Sequence, residues 1–278
     1  MKYYLDSKDL IAILQGKASR SAQEFREYLF AGDHKLVVSC YTIIEISAPL
    51  LHPHSTDNVM SLLNELEKMP IVYMHADSPG LELKEALNAF ANNREYLPVV
   101  PFVKRFDETL DLSANPPTSN FLNYPLAEIV WDLYRQGELK GMEDFANTMR
   151  ALIERDRNTI RPPSMKSHFA IVLEKELRGD GLSCKEMMSF TNWVYENPNR
   201  CPGIRLSFEV WRQIVMNKTD GLEDSDMEDY QHIICLPYVD AITLDRRMHS
   251  YVSQARTRIG LDTRCMFRSI EELWRKEV

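Results

Sequence analysis

Hydrophobic positions along this chain change period in a regular order. Lys2-Tyr3-Tyr4-Leu5 is a short apolar run that stops at Asp6, and Leu10, Ile11, Ile13 and Leu14 then recur at helical spacing through Ser7–Gln15. Ser21–Phe30 is a second amphipathic segment. Lys35–Ser39 is apolar along its length, as a strand buried on both faces of a parallel sheet would be. A helix opening at Thr42 follows, with Glu45 three residues on in capping-box spacing. Asp57–Met69 repeats a helical pattern through Val59, Leu62, Leu63 and Leu66, and Pro70–Met74 predicts a third strand. Strands alternating with helices in this way predict an α/β fold, a parallel sheet covered by helices.

From residue 79 to 216 the pattern becomes helical, at Leu81–Asn93, Tyr124–Gln136, Gly141–Arg155, Ser164–Leu177, Ser183–Glu196 and Leu206–Met216. Asn115-Pro116-Pro117 and Arg161-Pro162-Pro163 mark turns within it. After a helical segment at Asp226–Leu236, strand signal returns at Ala241–Leu244, which stops at Asp245, and at Arg264–Phe267. A last helix then opens with Ser269 and Glu272. Residues 1–78 and 217–278 are therefore expected to form one discontinuous α/β domain, interrupted over 79–216 by a mostly α-helical insertion.

A chain of 278 residues with 44% hydrophobic content has ample material for a core. It shows no apolar run near the roughly 20 residues that a membrane span needs. Met1–Asp6 carries neither the apolar region nor the cleavage site of a secretory signal. A soluble, cytoplasmic protein without a membrane partner is expected. Cys40, Cys184, Cys201, Cys235 and Cys265 form no Cys-x-x-Cys pair, and the histidines form no His-x-x-x-His pair. Any metal is thus expected to be held by oxygen.

The oxygen donors follow a pattern. Asp6 and Asp245 each end a strand, at the sheet edge where open α/β folds bind ligands. Glu45 sits at the start of the helix after strand two, hence at the same edge. Asp226 and Asp229 lie three apart on one helical face with His232 beyond them, and Asp240 precedes the strand that ends at Asp245. Each residue also has an ordinary reading: Asp6 and Asp226 as helix caps, Glu45 in a capping box, His232 as a satisfied half-buried histidine. Several carboxylates at one edge repel unless cations sit between them, and Mg²⁺ or Mn²⁺ completed by substrate phosphate fits that need. Phosphodiester hydrolysis is the chemistry this implies.

A strand-end Asp6, a helical Glu45, and Asp226 or Asp229 before Thr243-Leu244-Asp245, in that order, resemble the PIN-domain nucleases. The resemblance implies a parallel sheet with helices on both faces, and metal-dependent cleavage of RNA, less often DNA, leaving 5′-phosphates. It assigns catalysis and metal binding to Asp6, Glu45, Asp229 and Asp245, with Asp226, Asp240 and Thr243 as auxiliaries. A net charge of −8 is uneven: residues 220–229 carry six acids and no base, whereas 246–268 hold six arginines against Asp262. Arg246 and Arg247 are therefore expected to bind the substrate backbone, with RNA the favoured partner. A protein partner docked on the insertion and a homodimer are further expectations. The competing reading is a PIN-like binding module without catalysis.

Overall fold

Tyr3 and Tyr4 are both fully buried, and as neighbours in a strand they point to opposite faces of the sheet. Tyr3 enters one hydrophobic core and Tyr4 a second, so the first strand is covered on both sides. The computed structural model describes residues 1–51, 56–110, 125–135, 140–159, 183–221, 224–262 and 265–277, with single positions between 167 and 177.

The opening half alternates as its periodicity predicts: β1 (Lys2–Tyr4), α1 (Ser7–Leu14), α2 (Ala22–Ala31), β2 (Lys35–Val38), α3 (Cys40–Ser47), α4 (Thr56–Glu67), β3 (Ile71–Met74) and α5 (Ser78–Ala91). A two-residue β4 (Phe102–Val103) follows, then α6 (Leu126–Arg135), α7 (Lys140–Thr159), α8 (Cys184–Glu196) and α9 (Pro202–Met216). The chain closes with α10 (Asp224–His232), a 3-10 turn (Ile233–Tyr238), β5 (Ala241–Thr243), α11 (Arg246–Ile259), β6 (Cys265–Phe267) and α12 (Ile270–Glu277).

The six strands lie in the order β4-β3-β2-β1-β5-β6. All pairs are parallel except β3 with β4, where Tyr73 faces Val103. The expected parallel sheet with helical cover is present, extended at one edge by an antiparallel strand. Two residues are too few to show a period, which is why β4 leaves no mark in the hydrophobic pattern.

Residues 79–216 share both cores with the strands. Leu83, Phe190, Leu206 and Ile214 pack with Tyr4, Val37 and Ile242, while Leu126, Ile129 and Val130 pack with Tyr3, Leu36 and Tyr73 on the other face. Burial of the sheet thus depends on them. Asn115-Pro116-Pro117, Arg161-Pro162-Pro163, Arg264 and most of Ser164–Leu177 fall outside the described residues. Among the described residues, no helix is long and apolar enough to cross a membrane.

Two local expectations change. α3 begins at Cys40, not Thr42: Ser39 is its cap and accepts the Thr42 N–H at 3.1 Å, so Glu45 closes no capping box. The helix expected over Asp226–Leu236 starts at Asp224 and tightens to a 3-10 turn after His232, where Pro237 cannot continue an α-helix.

Candidate active site

The chain steps from β1 outward through β2, β3 and β4, then returns to place β5 on the other side of β1. The winding reverses between β1 and β5, and in such sheets a ligand crevice lies outside the carboxyl ends of those two strands. Asp6 and Asp245 follow β1 and β5 at that seam.

Both are helix caps. Asp6 Oδ1 accepts the Lys8 N–H at 2.8 Å, and Asp245 Oδ1 accepts the Met248 N–H at 2.5 Å. The ordinary reading of Asp6 is therefore correct, yet it occupies one oxygen. The second oxygen of each carboxylate has no hydrogen-bond partner among the described residues. Thr243, fully buried at the end of β5, laces the seam. Its Oγ1 accepts the Asp6 N–H at 2.8 Å and donates to the Asp9 carboxylate, which also accepts the Ile270 N–H at 3.1 Å. Burial first, and Asp6 nearby, push Asp9 up to about 6.

Glu45 projects from α3 toward α10, where His232 Nε2 lies 3.0 Å from its Oε1. The imidazole is 3% exposed, and its Nδ1 hydrogen-bonds the Tyr4 hydroxyl, which also meets Ser39 Oγ at 2.8 Å and Thr42 Oγ1 at 3.1 Å. Burial opposes charge on both partners. Their attraction outweighs it, holding Glu45 below the usual carboxylate range and His232 above the usual imidazole range.

Asp229 comes to the same place one helical turn before His232. Burial, then the charges of Asp6 and Asp245, push it up to about 8, with Glu45 adding to the rise and His232 opposing it. Asp6 is raised for the same reasons, burial first. Asp6, Glu45, Asp229 and Asp245 therefore stand within electrostatic reach of one another. Among the described residues, no Lys or Arg pairs with any of them.

Three other expected residues are placed elsewhere. Asp226 is not a cap but lies inside α10, 5% exposed, with Oδ2 3.0 Å from Arg247 Nη1. That pairing separates it from Asp229, which alone of the two faces the other acids. Arg247 is not free for a substrate: it also holds Asp220 at 2.6 Å and the Gly221 carbonyl, while Tyr251 donates to Asp220. Asp240 sits at the opposite sheet edge, where its Oδ2 accepts the Lys2 N–H at 2.8 Å. Five residues at roughly 3.3 Å each separate it from Asp245 by about 16 Å. Arg246 is exposed beside Asp245.

Sequence reasoning missed the parts played by His232 and Asp9. The spacing of three between Asp229 and His232, and between Asp6 and Asp9, puts each pair on one helix face and was the available signal.

The chemistry of the donors suits a hard divalent cation: four carboxylates, two of them raised by burial and mutual repulsion, with the buried Ser7 hydroxyl turned toward Glu45. Among the described residues, however, no three such side chains stand close enough to grip an ion together. A hydrated Mg²⁺ or Mn²⁺, which needs one or two direct carboxylates and keeps its waters, fits this spacing; a closed cage does not. Compared with known proteins, the chain matches no family model, no curated protein and no solved structure.

Proposed function

We propose that this chain is a metal-dependent phosphodiester hydrolase acting on nucleic acid. In particular, we read it as a PIN-like endoribonuclease. The observation that carries this is Asp229: a half-buried carboxylate, three further acids in reach, and, among the described residues, no side-chain cation acting on it but His232, itself spent on Glu45. Folding retains such a costly group where a bound cation relieves it.

Asp6, Glu45, Asp229 and Asp245 would hold Mg²⁺ or Mn²⁺. Bound there, the ion would acidify a water and neutralise charge on the phosphate. The remaining work belongs to the chain. Thr243 fixes the backbone at Asp6 and so aims its free oxygen. His232, braced by Tyr4, fixes the Glu45 carboxylate. The Arg247 clasp on Asp226 and Asp220 sets α10 against α11, which keeps Asp229 facing Asp245. Arg246, exposed at the first turn of α11, meets the substrate backbone.

The test is cleavage of labelled single-stranded RNA and DNA with Mn²⁺, Mg²⁺ or EDTA. Wild type is expected to cut RNA with either metal, and an Asp6→Asn/Asp245→Asn variant to lose activity by about 10²-fold or more. A second reading, a PIN-like module that binds RNA or protein without cutting, is favoured by the engagement of Glu45 with His232. No cutting in any metal, with wild type and variant equally folded and both binding RNA or protein, would make the chain that module instead.

A further inference from the structure

α11 contains four arginines and no acid, and its residues divide sharply by face. Met248, Tyr251, Val252 and Ala255 are buried, and Arg247 is turned into its clasp. Arg246, Ser250, Gln254, Thr257 and Arg258 are exposed, recurring three and four apart along one stripe. The stripe starts at the acids beside Asp245. It ends in a groove of about 470 Å³ between α11 and α9, lined by Arg212, Gln213, Ser253, Gln254, Thr257 and Arg258.

The floor of that groove is built. Glu209 is 5% exposed, and it takes Arg212 at 2.5 Å and Arg258 at 3.2 Å. Two guanidiniums on one buried carboxylate leave one net positive charge, and Arg258, 62% exposed, keeps free donors facing outward. Apart from the buried Glu209 beneath it, the groove is lined by polar and basic residues, whose aliphatic stems form most of its exposed wall. Basic heads over aliphatic stems suit a flexible polyanion whose phosphates meet the charge while its sugars and bases lie on the stems. Residues 246 to 258 span about 18 Å of helix. A single strand spaces its phosphates more widely than the roughly 3.4 Å per strand of a stacked duplex, so that length takes fewer than about five phosphates.

We propose that this stripe and groove form a track for the phosphate backbone of a single-stranded nucleic acid, leading from the acids at Asp245 to the Arg212/Arg258 pair. The assignment rests on the proposed hydrolase reading and adds to it the path of the strand. The track gives the enzyme grip remote from the bond it breaks, so it sets preference for long substrates over short ones.

The experiment is fluorescence anisotropy with labelled RNA and DNA of roughly twenty nucleotides, longer than the ~4–16 that single-strand sites occupy. EDTA is present so that nothing is cut, and salt is varied. The proteins are wild type, Ser250→Glu/Gln254→Glu, and Arg258→Gln, each checked for native circular dichroism; none of these residues belongs to the acid site. The expected result is several-fold weaker binding by both variants. The slope of log affinity against log salt should be shallower by about 0.7 for each phosphate that is no longer neutralised, and cleavage of a trinucleotide, assayed separately with Mn²⁺, should be unchanged. The RNA and DNA arms show which polymer the track prefers. Wild-type affinity and slope in both variants, or no binding of either polymer by wild type, would overturn the track. Weakened binding by the variants alongside a wild type that never cuts would keep the track and remove the hydrolase reading.

Discussion

Glu82 offers the sharpest test of the energetics. It sits on α5, fully buried, and its carboxylate ties three elements together: Oε1 accepts the Gly203 N–H at 2.7 Å and the Tyr238 hydroxyl, and Oε2 accepts the Ile204 N–H at 2.9 Å. These bonds favour the charged form, yet burial wins and pushes the carboxyl up to about 7 from 4.5. A folded pKa above the unfolded one means that folding takes up a proton. The contribution of Glu82 is therefore complete below pH 4.5 and is lost as pH rises toward 7. At 1.36 kcal/mol per pH unit the loss is about 3 kcal/mol. For a chain of this size that lowers the melting temperature by roughly 6 °C. Glu82→Gln stays neutral at every pH, so its stability should follow a flatter curve between about pH 4.5 and 7.5. Thermal unfolding of both proteins, followed by tryptophan fluorescence in EDTA, reads the difference between the two slopes. Parallel curves for wild type and variant would refute the argument, since other titrating groups are common to both.

Four further outcomes follow from the same contacts. Arg247→Ala removes a guanidinium from the interior carboxylate of Asp226 and should cost roughly 3 kcal/mol in chemical denaturation. Arg247→Ala/Asp226→Ala should recover part of that loss. Thr243→Val keeps the shape but removes the acceptor for Asp6 N–H and the donor to Asp9, so about 1–3 kcal/mol should vanish in chemical denaturation and, on the hydrolase reading, most cleavage with it. On the hydrolase reading, Asp229→Asn should abolish cleavage while Asp226→Asn reduces it far less, as judged by single-turnover rates at equal folded fraction; equal losses would contradict their separation. Gly203→Ala would bring its methyl to 2.8 Å from Ile234 Cδ1 and 2.9 Å from Glu82 Oε1, and a destabilisation of about 1–3 kcal/mol should register as a lower melting temperature.

Much of the architecture was legible because parallel strands buried on both faces must be apolar throughout, and β1, β2, β3 and β5 are short apolar runs. Asp6 and Asp245 stood out for a related reason: an acid that ends such a run has to lie at the strand edge. The pairing of Glu45 with His232 was hidden, since 187 residues separate them and no local period connects the two. The choice between Asp226 and Asp229 was equally closed to local reasoning. Three residues apart, they lie about 60° apart around the helix, and what distinguishes them is Arg247 arriving from another element. Asp240 was misplaced where strand direction alone sufficed: it enters β5, whereas Asp245 leaves it.

The reversal of winding between β1 and β5 also sets a clock. Asp6 and Glu45 leave the ribosome early, whereas Asp229 and Asp245 lie beyond residue 224. At roughly 5–20 residues per second, some 10–45 s pass between synthesis of the first acid and the third. Throughout that interval β1 lacks its β5 neighbour, Tyr4 lacks His232, and Asp6 and Glu45 lack Asp229 and Asp245. The long excursion through residues 79–216 thus acts as a delay. On the hydrolase reading, a nascent chain cannot damage its message during that interval, because its reactive centre needs acids from both sides of the excursion.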